Sequence, residues 1–146
     1  NQLAENNEEG MFVTTFLAVY DLTTRELTFS NGGHNPPYVV RADGAVEQVA
    51  VRPGFVLGGM EGIRYRNQSI QMGIHDKLLL YTDGVTEAVN PQFELYAESR
   101  LEKVLEHTEK ISPKETIEKI IGALKEFAGG AEQADDITMV VLQICK

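Results

Sequence analysis

Apolar residues alternate or run together through the first half of the chain and fall into helical stripes only in the second. Residues 11–21 (MFVTTFLAVYD) are rich in β-branched and aromatic types. Apolar positions occur on both alternating faces, which predicts a strand buried on two sides. A turn at residues 23–25 and the alternating stretch 26–30 (ELTFS) then predict a hairpin. The turn formers of 31–37 (NGGHNPP) separate it from a second hairpin, in which 37–41 and 46–51 flank Asp43-Gly44. A glycine-rich loop follows at 54–62, then an alternating strand at 65–72. The continuous apolar run 77–81 (KLLLY) has the character of a central strand.

The period then changes. Leu95, Leu101, Val104 and Leu105 follow helical spacing within 94–107. The next helix is punctuated at both ends. Ser112 caps it, Pro113 suits its first turn, Glu115 completes a Ser-x-x-Glu capping box, and Gly129-Gly130 closes it. Its stripe is Ile117, Ile120, Ile121, Leu124 and Phe127. Residues 136–144 return to strand. Many strands, two helices and a last strand make an α+β fold, with helices packed on antiparallel sheet. The closing strand is expected to insert among earlier ones, since its apolar run would otherwise form an exposed edge.

Composition narrows the functional classes. The 146 residues are 42% hydrophobic and 24% charged, as expected of one ordinary domain. A net charge of -9 and a pI near 4.8 argue against nucleic acid and anionic membranes as partners. No apolar stretch approaches the ~20 residues that cross a bilayer, and no secretory signal is visible. The chain opens on Asn1 with a polar stretch, 1–10, expected to be a loose lead-in. It is read as a piece of a longer cytoplasmic protein, or of the cytoplasmic part of a membrane-anchored sensor. The single cysteine, Cys145, has no internal disulfide partner and is expected to be an incidental buried thiol.

Two aspartate segments adjoin strongly apolar strands. Asp83 follows KLLLYT, and Asp135 precedes the ITMVVL run. If those strands are antiparallel neighbours, both carboxylates emerge at one end of a sheet. Two such carboxylates repel each other unless a proton or a cation lies between them. A hard divalent cation takes oxygen ligands of this kind. Gly84 allows a tight turn beside the carboxylate. Taken singly, either segment reads more simply as a turn or a cap. An aspartyl-nucleophile loop is rejected, because the positions two away from Asp83 are Tyr81 and Val85. His34, in Gly-Gly-His-Asn-Pro-Pro, is read as orienting a proline turn rather than as a general acid. Glu87 is read as a helix N-terminal charge, and Arg64 and Arg66 as solvent-facing strand residues. No phosphate loop ending in Lys-Ser/Thr and no serine nucleophile elbow is present.

Four segments, 11–40, 54–59 (GFVLGG), 76–90 (DKLLLYTDGVTEAVN) and 134–142 (ADDITMVVL), together resemble the bacterial PP2C-like (PPM) phosphatases of the sporulation stage II E / sigma-B regulator U type. The resemblance spans nearly the whole chain. It implies an antiparallel β-sandwich flanked by helices, incomplete here because the N-terminal strand and helices are missing. The implied activity is hydrolysis of phosphoserine or phosphothreonine on a regulatory protein, an anti-anti-sigma (STAS-type) protein by analogy, with two Mn²⁺ or Mg²⁺ ions. By the same resemblance Asp83 and Asp135 match metal-ligating aspartates, while Gly84, Asp136 and Thr138 match supporting or turn positions.

The family's upstream Gly-Asp motif has no counterpart before Met11. One weakly bound ion or none, little activity, and pairing of two copies through an open edge are therefore expected. The alternative is a noncatalytic pseudophosphatase that docks a partner, against which the retained Asp83 and Asp135 argue. Three positions depart from the family pattern: His75, Phe93 and Ala97 stand where relatives often carry glycine, which bears on loop shape.

Overall fold

The computed structural model describes residues 1–5, 7–52 and 54–145, in two compact units. One comprises Asn1–His34 and Ala50–Met72, the other Asn35–Val49 and Gly73–Lys146. Each holds one antiparallel sheet, as the α+β reading expects.

In the first unit β1 (Thr15–Tyr20), β2 (Glu26–Gly32) and β5 (Gln68–Gln71) form a sheet in the order β1-β2-β5. The β1–β2 turn forms because the Asp21 carboxylate accepts the N–H groups of Thr23 (2.7 Å) and Thr24 (2.9 Å). These two N–H donors lower the Asp21 pKa. Leu27 and Phe29 are buried, and Phe29 stacks on Phe16. The strand expected to be buried on two sides is not. β1 is shorter than 11–21, it is an edge strand, and Leu17 and Val19 are 69% and 68% exposed. Apolar residues on both faces of a strand state a demand for cover, and the described residues cover one face only. The lead-in forms turns tied down by side chains. Asn7 bonds both Met11 N and Met11 O and reaches Gly58 O at 3.0 Å, while Asn1 accepts from Gly62 N at 2.8 Å. Asn6 lies outside the described residues.

In the second unit the strand order is β4-β3-β6-β7, from β3 (Tyr38–Val40), β4 (Val46–Gln48), β6 (Lys77–Tyr81) and β7 (Met139–Gln143). Helix α1 (Ala97–Leu105) and helix α2 (Pro113–Ala128) bury Leu101, Leu105, Ile120 and Leu124 with Tyr38, Val40, Leu79 and Tyr81 of the sheet in one core. The predicted punctuation of α2 is present: Ser112 Oγ accepts from Glu115 N, Glu115 Oε2 accepts from Ser112 N, and Gly129 ends the helix at φ +54°. The buried stripe runs through Thr116, Ile120 and Leu124, one residue every four, which leaves Ile121 outside it at 36% exposed.

β6 is central, as expected, but the closing strand is not. Among the described residues, β7 lies at the sheet edge beside β6 alone, with Val140 and Leu142 44% and 51% exposed. Its apolar pattern required a neighbour, and the β6–β7 ladder supplies that neighbour on one side. Cys145 is exposed, contrary to expectation, because it falls beyond the end of the ladder.

Among the described residues of this unit, two charged ones are buried. Asp76 accepts from Arg41 (2.9 Å), Ala42 N (2.9 Å) and Gly73 N (2.8 Å). Lys77, 1% exposed, donates through Nζ to the carbonyls of Thr108 and Ile111 and to Thr116 Oγ1 at 3.4 Å. It thereby ties the α1–α2 connection to β6.

Candidate metal centre

β6 ends in Thr82-Asp83-Gly84 and β7 is entered through Asp135-Asp136-Ile137-Thr138. The ladder runs antiparallel with Tyr81 opposite Met139, so both segments leave the sheet at the same end. Thr82 joins them. Its N–H donates to Thr138 O (3.0 Å), its hydroxyl donates to Asp136 O (2.9 Å), and the same oxygen accepts from Thr138 N (3.0 Å). A β-branched residue one position before Asp-Gly was the sequence signal for this seam, and it was not read as functional.

Asp83 opens a 3-10 turn, Asp83–Val85, whose following residues fold back on it: Glu87 N and Thr86 Oγ1 both donate to Asp83 O, at 2.8 and 3.3 Å. Gly84 is buried here for lack of space rather than for an unusual φ. A Cβ at this position would lie 2.5 Å from Asp136 O and 3.2 Å from Asp135 O. The two aspartate segments are therefore in backbone contact across Gly84. Each carboxylate receives one local bond, Asp83 from Gly84 N (3.1 Å) and Asp135 from Asp136 N (2.7 Å), and Gln133 steadies Asp135 O at 2.8 Å. Asp83, Asp135 and Asp136 are exposed, so most of their oxygen lone pairs are open to solvent or to a ligand.

Next to the site, burial and then the Glu98 carboxylate push the Tyr81 phenol up to about 12, which keeps it neutral. Thr138 serves the site through its backbone, and Asp136 presents its carbonyl to Thr82. Glu87 is exposed and follows the 3-10 turn instead of opening a helix, because α1 begins only at Ala97. His34 belongs to the other unit, where Asn31 holds its backbone N–H and carbonyl at 2.8 Å each and Thr14 Oγ1 meets its Nδ1 at 3.1 Å. Arg64 and Arg66 are exposed, but they precede β5 rather than lie on it.

The donors fit a hard divalent cation in kind, being carboxylate and carbonyl oxygens at one sheet end, but not in number. Such ions take about six oxygens or more. Among the described residues no group of three or more His, Cys, Asp or Glu side chains is placed to hold one ion.

Residues 1–144 match the family described as Stage II sporulation protein E (SpoIIE). The chain belongs to that family. It is 32% identical over 141 residues to Protein IcfG of Synechocystis sp., covering 94% of this chain and 22% of that protein. It is 27% identical over 145 residues to the phosphoserine phosphatase RsbU of Bacillus subtilis, covering 98% of this chain and 42% of RsbU. The chain thus spans less than half the length of either relative. Among solved structures, the SiaA-PP2C domain of Pseudomonas aeruginosa superposes with a TM-score of 0.82 at 19% identity, over 98% of this chain and 56% of that one. The SpoIIE-family chain therefore has the PP2C-like α+β fold over part of such a domain's length.

Proposed function

We propose that this chain carries part of the metal centre of a protein serine/threonine phosphatase, with Asp83 and Asp135 holding one Mn²⁺ or Mg²⁺ between the ends of β6 and β7. The observation that supports it is the seam itself: Thr82 and Gly84 lock two aspartate segments together at one sheet end, and both carboxylates remain exposed. A divalent cation there supplies charge neutralisation to a phosphoryl group and activates water. This chain's residues hold and orient: Asp83 and Asp135 donate oxygens, Gly84 admits the close approach, and Thr82, through Asp136 and Thr138, keeps the two loops in register.

The substrate class, as the family resemblance implies, is a phosphoserine or phosphothreonine protein; the relative RsbU is named a phosphoserine phosphatase. The family resemblance extends this to a STAS-type regulatory protein. Two carboxylates leave an ion largely hydrated, so this chain by itself binds metal weakly and turns over little or nothing. The same shortfall favours the noncatalytic docking module as the second reading.

Mn²⁺ titration by calorimetry, alongside turnover of a phosphoserine peptide, tests these readings. Weak Mn²⁺ binding lost in both Asp83→Asn and Asp135→Asn is the expected result. Tight binding of two ions with full turnover would overturn the partial-centre reading. Mn²⁺ affinity unchanged in both variants would remove the metal reading and leave the docking module.

A further inference from the structure

In the first unit, Arg52, Arg64 and Arg66 line one hollow of about 230 Å³ together with Asn31, Gly54 and Tyr65. No acidic residue is among the lining. The ion pairs of the described residues engage Arg41 and Lys114 and leave these three arginines out. All three are exposed. The unit contains no lysine, and Arg25 is its one other arginine, so its positive charge is concentrated at this hollow in a chain of net charge -9.

The backbone that carries the arginines is anchored. Arg52 N donates to Gln68 Oε1 (2.6 Å), Gln68 Nε2 donates to Ala50 O (3.0 Å), Ser30 Oγ donates to Arg66 O, and Tyr65 OH donates to Val56 O, the last two at 3.4 Å. Three unpaired like charges around one hollow raise its local potential and disfavour the free state. An oxyanion ligand relieves that repulsion, and guanidinium forks bind carboxylate and phosphate oxygens in bidentate fashion.

We propose that this hollow is a docking site for an acidic segment of a protein partner, one that bears carboxylate or phosphoseryl side chains. A protein segment fits better than a membrane or a nucleic acid. Those are extended anionic surfaces that the chain's overall acidity repels, whereas a short segment meets only the local positive field. Identifying the partner with the substrate rests on the phosphatase reading; the binding itself does not.

The test is fluorescence anisotropy of a labelled glutamate-rich peptide with one phosphoserine, titrated with the 146-residue chain in EDTA, so that no metal or turnover is involved. The Arg52→Gln/Arg64→Gln/Arg66→Gln variant should weaken binding about tenfold or more, and the corresponding triple lysine variant should recover part of the loss. Arg25→Gln should bind like the parent chain, and circular dichroism should show all variants folded. Equal binding by the triple glutamine variant, or equal loss in Arg25→Gln, would overturn the proposal. So would arginine-dependent sedimentation with phosphatidylserine vesicles in the absence of peptide binding. Asp83→Asn should leave peptide binding intact, so failure of the phosphatase reading and failure of this one give different results.

Discussion

Gly84→Ala probes the seam on which the site depends. The added methyl would lie 2.5 Å from Asp136 O, where ordinary contact begins near 3.4 Å, so the two loops must part by about 0.9 Å. Three bonds of 2.9–3.0 Å through Thr82 hold that seam, and a displacement of this size takes them beyond useful length. Partial loss of bonds worth about 1 kcal/mol each, with overpacking relieved by the same movement, gives a cost of about 2–3 kcal/mol. For a chain of this size that lowers Tm by about 5–10 °C.

Gly122→Ala is the matched control. It lies inside α2, is exposed, and its Cβ would meet nothing within 4 Å. The same chemical change should therefore stabilise by about 1 kcal/mol through helix propensity. Thermal melting followed by circular dichroism reads both variants, and Mn²⁺ titration reads the site. If Gly84→Ala melts within a degree of the parent chain and keeps its Mn²⁺ affinity, the backbone contact does not hold the two aspartate segments and the reasoning fails.

Lys77→Met should cost about 2–4 kcal/mol in urea denaturation, because it strands the carbonyls of Thr108 and Ile111 that the buried ammonium satisfies; a change below 0.5 kcal/mol would show that water replaces it. Ser112→Ala removes the hydroxyl and disturbs the N–H that together lower the Glu115 pKa. A carboxyl whose folded pKa is lowered contributes stability above its unfolded pKa of about 4.3 and loses it as pH falls through the folded value. The variant should therefore melt a few degrees lower at neutral pH and show a shallower acid decline, and parallel curves from pH 6 to 3 would contradict the linkage. Phe93→Gly should raise stability by about 1 kcal/mol, since Phe93 is 87% exposed and sits at φ +61°; a lower Tm would show that its ring makes a contact worth more than the strain.

The positions of the helices and hairpins follow from local information. Capping of α2 by Ser112 and Glu115, its αL ending at Gly129, and the turns at Asp21 and Gly44 are all written within a few residues of where they act. His75, Phe93 and Ala97 adopt φ of +71°, +61° and +62°, the left-handed backbone that glycine takes without strain. That Asp83 and Asp135 stand at strand ends could be read from the apolar runs beside them. That those ends coincide could not, because it depends on β7 pairing with β6 across more than fifty residues.

Tertiary structure alone decided which strands became edges. An apolar pattern states that a strand needs cover but does not say which segment provides it, so β1 and β7 were read as interior strands and proved to be edges. It also decided the role of Thr82, whose hydroxyl acts through groups distant in sequence, and the gathering of Arg52 with Arg64 and Arg66. Charge and hydrogen-bonding capacity belong to each residue. Their convergence belongs to chain reversals that bring distant segments together, and no local pattern encodes it.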